Sequence, residues 1–193
     1  MSMIDVLREI YFNEGVHMRA LSRRLDLGMP AVKNQVDKLL EEKFIVKKDE
    51  GRNIKLFINK KNKFITPYLY EVEYTRLKSL PKIASDAVFD LLASLENKPV
   101  IVMIFGSYAR GTFSKSSDLD VMLVFSHMDT EAERKAKIIG SRHSVKLEPV
   151  YLTWKSFKKK FFDEKDIFIK ELKKNKIIIT GLEYWRMLEN EKA

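Results

Sequence analysis

The sequence predicts an α+β chain, with a small helical block and hairpin ahead of a larger region of strands and helices. Three observations predict it. Residues 1–63 hold three stretches of helical periodicity, then two short β-type runs around a glycine-containing turn. Residues 85–193 hold runs of strand length, apolar at 100–105 and opening on two carboxylates at 118–125, among amphipathic segments. The charge is also uneven: residues 17–63 carry 13 Lys/Arg against 6 Asp/Glu, whereas 81–193 carry 20 against 16. Most of the net charge of +9 therefore sits in a short N-terminal block, which favours acidic partners such as nucleic acid.

In the first block, Ile4, Val6, Leu7, Ile10 and Tyr11 follow helical spacing, and Asn13, Glu14 and Gly15 end that helix. A second short helix fits 18–25. Residues 26–30 form a turn, with Pro30 suited to the first turn of a third helix over 31–42. Val32, Val36, Leu39 and Leu40 make its inner face. Strands at 44–48 and 54–58 flank a turn at 49–53 and read as a β-hairpin.

Residues 64–98 read as helical, with a break at Pro81. Tyr68, Tyr70, Val72, Tyr74 and Leu77 pack the first piece; Ile83, Ala87, Val88, Leu91, Leu92 and Leu95 pack the second. We take 64–84 as a helical linker, and the helical segment 64–98 either bridges the domains or forms the seam of a homodimer. No internal repeat or low-complexity tract interrupts the chain.

Helix, helix, turn, helix, hairpin within residues 1 to about 62 resembles the winged-helix fold, above all in the run VKNQVDKLLEEKFIVKKDEGRNIKLFIN. The resemblance implies a third helix that enters the major groove and a hairpin that lies along the backbone or minor groove. The candidate contacts are Lys33, Asn34, Gln35 and Lys38 on the helix and Lys47, Lys48, Arg52 and Lys55 on the wing. Lys and Arg neutralise phosphates, while Asn and Gln can pair with base edges. Asp37, Glu41 and Glu42 share the helix and would repel phosphates. Winged helices also serve as dimerisation or docking modules, and that reading stays open.

The chemistry-bearing stretch begins at 100–105, a buried-type strand that ends in Gly106-Ser107-Tyr108-Ala109-Arg110-Gly111. Ten residues separate Ser107 from Asp118, where Asp118-Leu119-Asp120 opens a second buried-type strand, giving G-S-x10-D-x-D. A glycine after a strand lets backbone N–H groups approach a triphosphate, and Ser107 adds a hydroxyl. A following helix would turn its positive end to the phosphates, with Arg110 one turn on. Asp118 and Asp120, two apart on a strand, leave the same face, while Leu119 and Val121 point into the core. With no basic neighbour, two such carboxylates suit a shared divalent cation. Mg²⁺ takes oxygen ligands and keeps positions for phosphate and water, and two ions can clamp an in-line displacement.

This pattern resembles the nucleotidyltransferases of the DNA polymerase β superfamily, and most closely the minimal nucleotidyltransferases of prokaryotes, which share GSYARG…SDLDVMLV. The resemblance covers residues 85–182. The tail FIKELKKNKIIITG looks like the helix and closing strand that end the family's domain. The resemblance implies a small mixed sheet flanked by helices, and thus a winged helix-turn-helix followed by a polymerase β-like domain at 85–193. It implies Mg²⁺-dependent transfer of a nucleoside monophosphate from an NTP, ATP in our reading, with release of pyrophosphate. By position, Gly106, Ser107 and Arg110 would hold the triphosphate, and Asp118 and Asp120 the metal. The family's third carboxylate, ligand or base, would be Glu148 in HSVKLEPVYLTW. Alternation puts Lys146, Glu148 and Val150 on one face of that strand. A charge inside an apolar strand argues for a site role, although Pro149 is expected to disturb the strand. His143 is expected at the surface without a catalytic part.

Composition excludes other classes. There is no cysteine, so disulfides and thiolate metal sites are out, and three histidines with no HxxxH pair argue against a zinc enzyme. No apolar run approaches the ~20 residues needed to span a bilayer. The first residues lack the build of a signal peptide, so a cytoplasmic protein is expected. Minimal nucleotidyltransferases often act as antitoxins beside a HEPN-type RNase toxin, so the resemblance allows a protein hydroxyl as acceptor. The alternative is a transcriptional regulator whose nucleotidyltransferase-like domain only senses nucleotide.

Overall fold

The computed structural model describes residues 2–51, 53–128 and 131–191. Its chain divides into two compact units, Met1–Val72 and Glu73–Ala193.

The first unit holds α1 (Met3–Phe12), β1 (Val16–His17), α2 (Met18–Leu25), α3 (Met29–Glu41), β2 (Ile45–Glu50) and β3 (Asn53–Ile58). The Ser2 amide donates to the Asp5 carboxylate at 3.0 Å and caps α1. A left-handed Asp26 ends α2, at φ 51°. Pro30 lies in the first turn of α3, where its missing N–H costs nothing, so the helix starts two residues before the expected 31. Leu7, Ile10, Leu21, Val32, Val36 and Leu39 close the core. The hairpin is tighter than expected: strands run to Glu50 and from Asn53, and Gly51 takes the positive φ of 58° that a two-residue connection requires. β1 pairs with β3 and gives the antiparallel order β1-β3-β2. Two residues carry too little periodicity to read such a strand from sequence.

After a 3-10 turn at Lys63–Ile65 come α4 (Thr66–Lys78) and α5 (Lys82–Ser94), separated at Pro81 as its ring requires. The boundary between the units falls inside α4.

The second unit continues with β4 (Ile101–Ile104), α6 (Gly106–Arg110), β5 (Leu119–Phe125) and α7 (Ala132–His143). β6 (Leu147–Thr153), α8 (Trp154–Phe162), α9 (Ile167–Lys174), β7 (Ile177–Thr180) and α10 (Leu182–Glu191) follow. The four strands form one mixed sheet in the order β6-β5-β4-β7. β5 runs antiparallel to β4 and parallel to β6, while β7 is antiparallel to β4.

Side-chain alternation assigns each face of this sheet. Val102, Ile104, Leu119, Val121, Leu123 and Phe125 pack against α5 and α7. Ile101, Met103, Met122 and Val124 are buried on the other side, which α8 and α10 cover with Phe157, Phe161, Trp185 and Leu188. Both faces of β4, and of β5 from Val121 onward, are therefore dry, which fixes their register. Among the described residues no helix is long and apolar enough to cross a membrane.

Candidate active site

Every expected catalytic residue lies at the open end of this sheet. β4 leads through Phe105 into α6, and Phe105 N donates to Asp120 O at 3.0 Å. Gly106 adopts φ +64°, and a Cβ built on it would stand 1.9 Å from Asp120 Oδ2. The glycine thus sets the first turn of α6 directly against the second carboxylate of D-x-D. The helix expected after the glycine is one short turn, ended by Gly111 in a left-handed conformation. Ser107 stands in that turn, and exposed Arg110 at its end. Below, the Arg76 guanidinium donates to the carbonyl of Ala109 at 2.6 Å and to that of Lys176. Arg76 thereby ties α6 to the approach of β7. Sequence reading missed this residue, because nothing local marks an arginine that answers two distant carbonyls.

Asp118 and Asp120 leave the sheet on the face shared with Met122 and Val124, while Leu119 and Val121 are fully buried on the other. The parallel register pairs Leu119 with Leu147 and Asp120 with Glu148. It brings Lys146 beside Asp118, and the Lys146 ammonium sits 2.8 Å from both Asp118 Oδ2 and Glu148 Oε1. The expectation of two carboxylates without a basic neighbour is therefore corrected. The neighbour arrives across the sheet from 28 residues along the chain. Hydrogen bonds to Asp118 and then Glu148 hold its ammonium above the ordinary lysine range.

Asp120 moves the other way for a carboxyl. Partial burial raises it above its ordinary 3.8, the Asp118 and Glu148 charges add to the rise, and Arg110 opposes them. Asp118, Asp120, Glu148 and Arg110 thus share one electrostatic site.

Two expectations about β6 need correcting. Glu148 is exposed, with a side chain 49% accessible, because β6 is an edge strand; the cost of burying a charge is no argument for its role. Pro149 does not disturb the strand. Leu119 N donates to Lys146 O, a phase that turns amide 149 away from β5, and edge strands tolerate such a proline. His143 is more than a surface residue: its ring bonds Asp90 at 2.7 Å and ties α7 to α5.

The donors suit a hard divalent cation, being carboxylate oxygens with an open side for water and phosphate. Among the described residues no three His, Asp or Glu side chains are gathered as around a metal ion. Asp118 and Asp120 would hold it, with Glu148 tied meanwhile to Lys146. Two open clefts flank the site. One of about 650 Å³ reaches from Phe113 and Ser114 to Asp118 and Lys146. The other, of about 720 Å³, lies between α7 and β6 and includes Lys146 and Glu148.

The candidate contacts on the third helix and the hairpin lie in the first unit. Lys33, Asn34 and Lys38 are exposed on α3, as are Lys47 and Lys48 on β2. Gln35 is half-buried, and Lys55 is held by Glu50 at 2.5 Å. Arg52 lies outside the described residues.

A small mixed sheet flanked by helices, with a glycine turn packed on a strand-borne carboxylate, agrees with a nucleotidyltransferase-type fold. Residues 88–179 match the family model described as Nucleotidyltransferase domain. A Methanocaldococcus jannaschii protein, provisionally named a protein adenylyltransferase, is 38% identical over 80 residues, spanning 39% of this chain and 80% of that one. The chain belongs to the nucleotidyltransferase domain family. A crystal structure of a provisionally named nucleotidyltransferase from Sulfolobus solfataricus aligns at 24% identity and a TM-score of 0.30, covering 45% of this chain and 78% of that one. That likeness is too distant to carry weight.

Proposed function

We propose that the chain moves a nucleoside monophosphate, AMP in our reading, from an NTP to a hydroxyl on a macromolecule, with Mg²⁺ at the carboxylates. The observation that carries the reading is the contact of Gly106 with Asp120, which sets a phosphate-type turn against a metal-type carboxylate. Gly106 and Ser107 present backbone N–H and hydroxyl donors to the triphosphate, and Arg110 neutralises its charge. The acceptor oxygen bonds to the α-phosphorus, and the bond to the bridging oxygen breaks. Pyrophosphate leaves with that electron pair, and Glu148 takes the hydroxyl proton. Mg²⁺, as two ions held at Asp118 and Asp120, would supply charge stabilisation for this displacement.

The provisional name of the Methanocaldococcus relative supports a protein acceptor, and a HEPN-type RNase toxin is the partner class we put first. In this reading the first unit is a winged helix that binds DNA, placing the protein in the cytoplasm as an antitoxin that can regulate its own expression. The exposed Lys33, Lys38, Lys47 and Lys48 support it. A second reading, a regulator that binds nucleotide without turnover, is favoured by the Lys146 bridge over Asp118 and Glu148.

The test is incubation with α-phosphate-labelled ATP, Mg²⁺ and cell extract, beside an Asp118→Asn, Asp120→Asn double variant. Label in protein or RNA with the unaltered chain alone supports transfer and names the acceptor class. No label with any of the four NTPs leaves the sensor reading.

A further inference from the structure

We propose that Lys146 is an internal cation that neutralises Asp118 and Glu148 while the divalent metal is absent, so that metal enters the site together with a nucleoside triphosphate and not alone. The inference rests on the metal-dependent reading above and deepens it. The ammonium lies 2.8 Å from one oxygen of each carboxylate and so bridges two anions. The bridge follows from the parallel register, which sets position 118 beside 146 and 120 beside 148.

Displacing this group has two consequences. A bare divalent ion at Asp118 breaks its charge-assisted hydrogen bond with Lys146 and leaves an ammonium next to a like charge. A metal ion that carries a triphosphate brings the anionic oxygens that the released ammonium needs. Lys146 can move at little packing cost, because its side chain is 66% exposed on an edge strand. It also borders both clefts, so its released head has space beside the carboxylates. Lys146 therefore couples metal to nucleotide: affinity for free metal is low, and the two ligands enter as one.

The experiment measures Mn²⁺ binding to the full chain by electron paramagnetic resonance, with and without α,β-methylene-ATP. It compares the unaltered protein with Lys146→Gln and Lys146→Met, and uses Asp118→Asn as the site control. The two lysine variants are expected to bind Mn²⁺ alone about tenfold tighter than the unaltered chain, within the usual range of coupling between sites. That gap is expected to close when the analogue is present. Equal Mn²⁺ affinity without nucleotide, with binding still lost in Asp118→Asn, would overturn the role of Lys146 and leave the metal site standing. No Asp118-dependent binding in any chain, with or without the analogue, would overturn both. A measurement on the unaltered chain keeps the question open to disproof if a variant fails to fold. Its Lys146 Nζ resonance is expected to move when Mg²⁺ and analogue are added together, and hardly with Mg²⁺ alone. An unmoved resonance in both cases overturns the proposal.

Discussion

Gly106 and Asp120 touch across the open ends of β4 and β5, so closely that the glycine has no room for a methyl group: a Cβ would sit 1.9 Å from Asp120 Oδ2. The conformation forbids one as well, since φ is +64°. Gly106→Ala can be accommodated only by swinging the Asp120 carboxylate away. The substitution is expected to cost about 1–2 kcal/mol from the left-handed backbone and about 100-fold in transfer rate, the usual effect of a misplacement near 1 Å. Gly181→Ala is the control. Its Cβ would meet Val100 O at 2.1 Å, a backbone atom outside the site. It should lower the melting temperature further while leaving the rate per folded molecule near that of the parent. Equal rate losses in the two variants would remove the special status of position 106.

Asp120→Asn has a pH signature. Because the folded carboxyl is raised above 3.8, the folded chain holds that proton more tightly than the unfolded chain. Well below 3.8 both states are protonated and the group has no net effect. As pH rises from 3.8 through the raised folded value, ionisation removes stability, and the loss is constant above it. The variant is therefore expected to melt higher at pH 7 without metal, with the gain closing as pH approaches 3.8. Mg²⁺ with nucleotide should raise the melting temperature of the parent and not of the variant. Melts across pH 4–8 check both.

Arg76→Met tests how α6 is supported. The guanidinium answers the carbonyls of Ala109 and Lys176 from a half-buried position. Removing charge-assisted bonds there is expected to cost about 2–4 kcal/mol, read as a lower urea midpoint. Transfer should fall beyond the unfolded fraction, because α6 carries Gly106 and Ser107. Lys82→Ala, which breaks the exposed pair with Asp86, should leave the midpoint nearly unmoved.

For the DNA reading of the first unit, binding to duplex DNA is expected to weaken steeply with salt. Lys38→Ala and Lys47→Ala should each reduce the log–log slope by about 0.9. Lys55→Ala should do less, since that charge is already held by Glu50. Binding indifferent to salt and to both substitutions would point to protein docking instead.

Much of the architecture was legible in local sequence, because helical and strand periodicity are properties of short windows. α2 spans Met18–Leu25 as read, Pro81 separates α4 from α5, and Leu119 and Val121 face inward as alternation required. G-S-x10-D-x-D was visible for the same reason, since its parts are the end of one strand and the start of the next. β1, the tightness of the hairpin and α7 left no sufficient local signal.

The sequence by itself determined the order of the elements, the chemical kinds of side chain at the site and the side of the strand from which Asp118 and Asp120 depart. Only the tertiary structure decided what those carboxylates meet. Lys146 reaches Asp118, and Glu148 stands beside Asp120, because β6 pairs parallel to β5 in one register at the edge of the sheet. That register is set by which apolar faces α5, α7, α8 and α10 bury, a long-range condition that no short window of sequence contains.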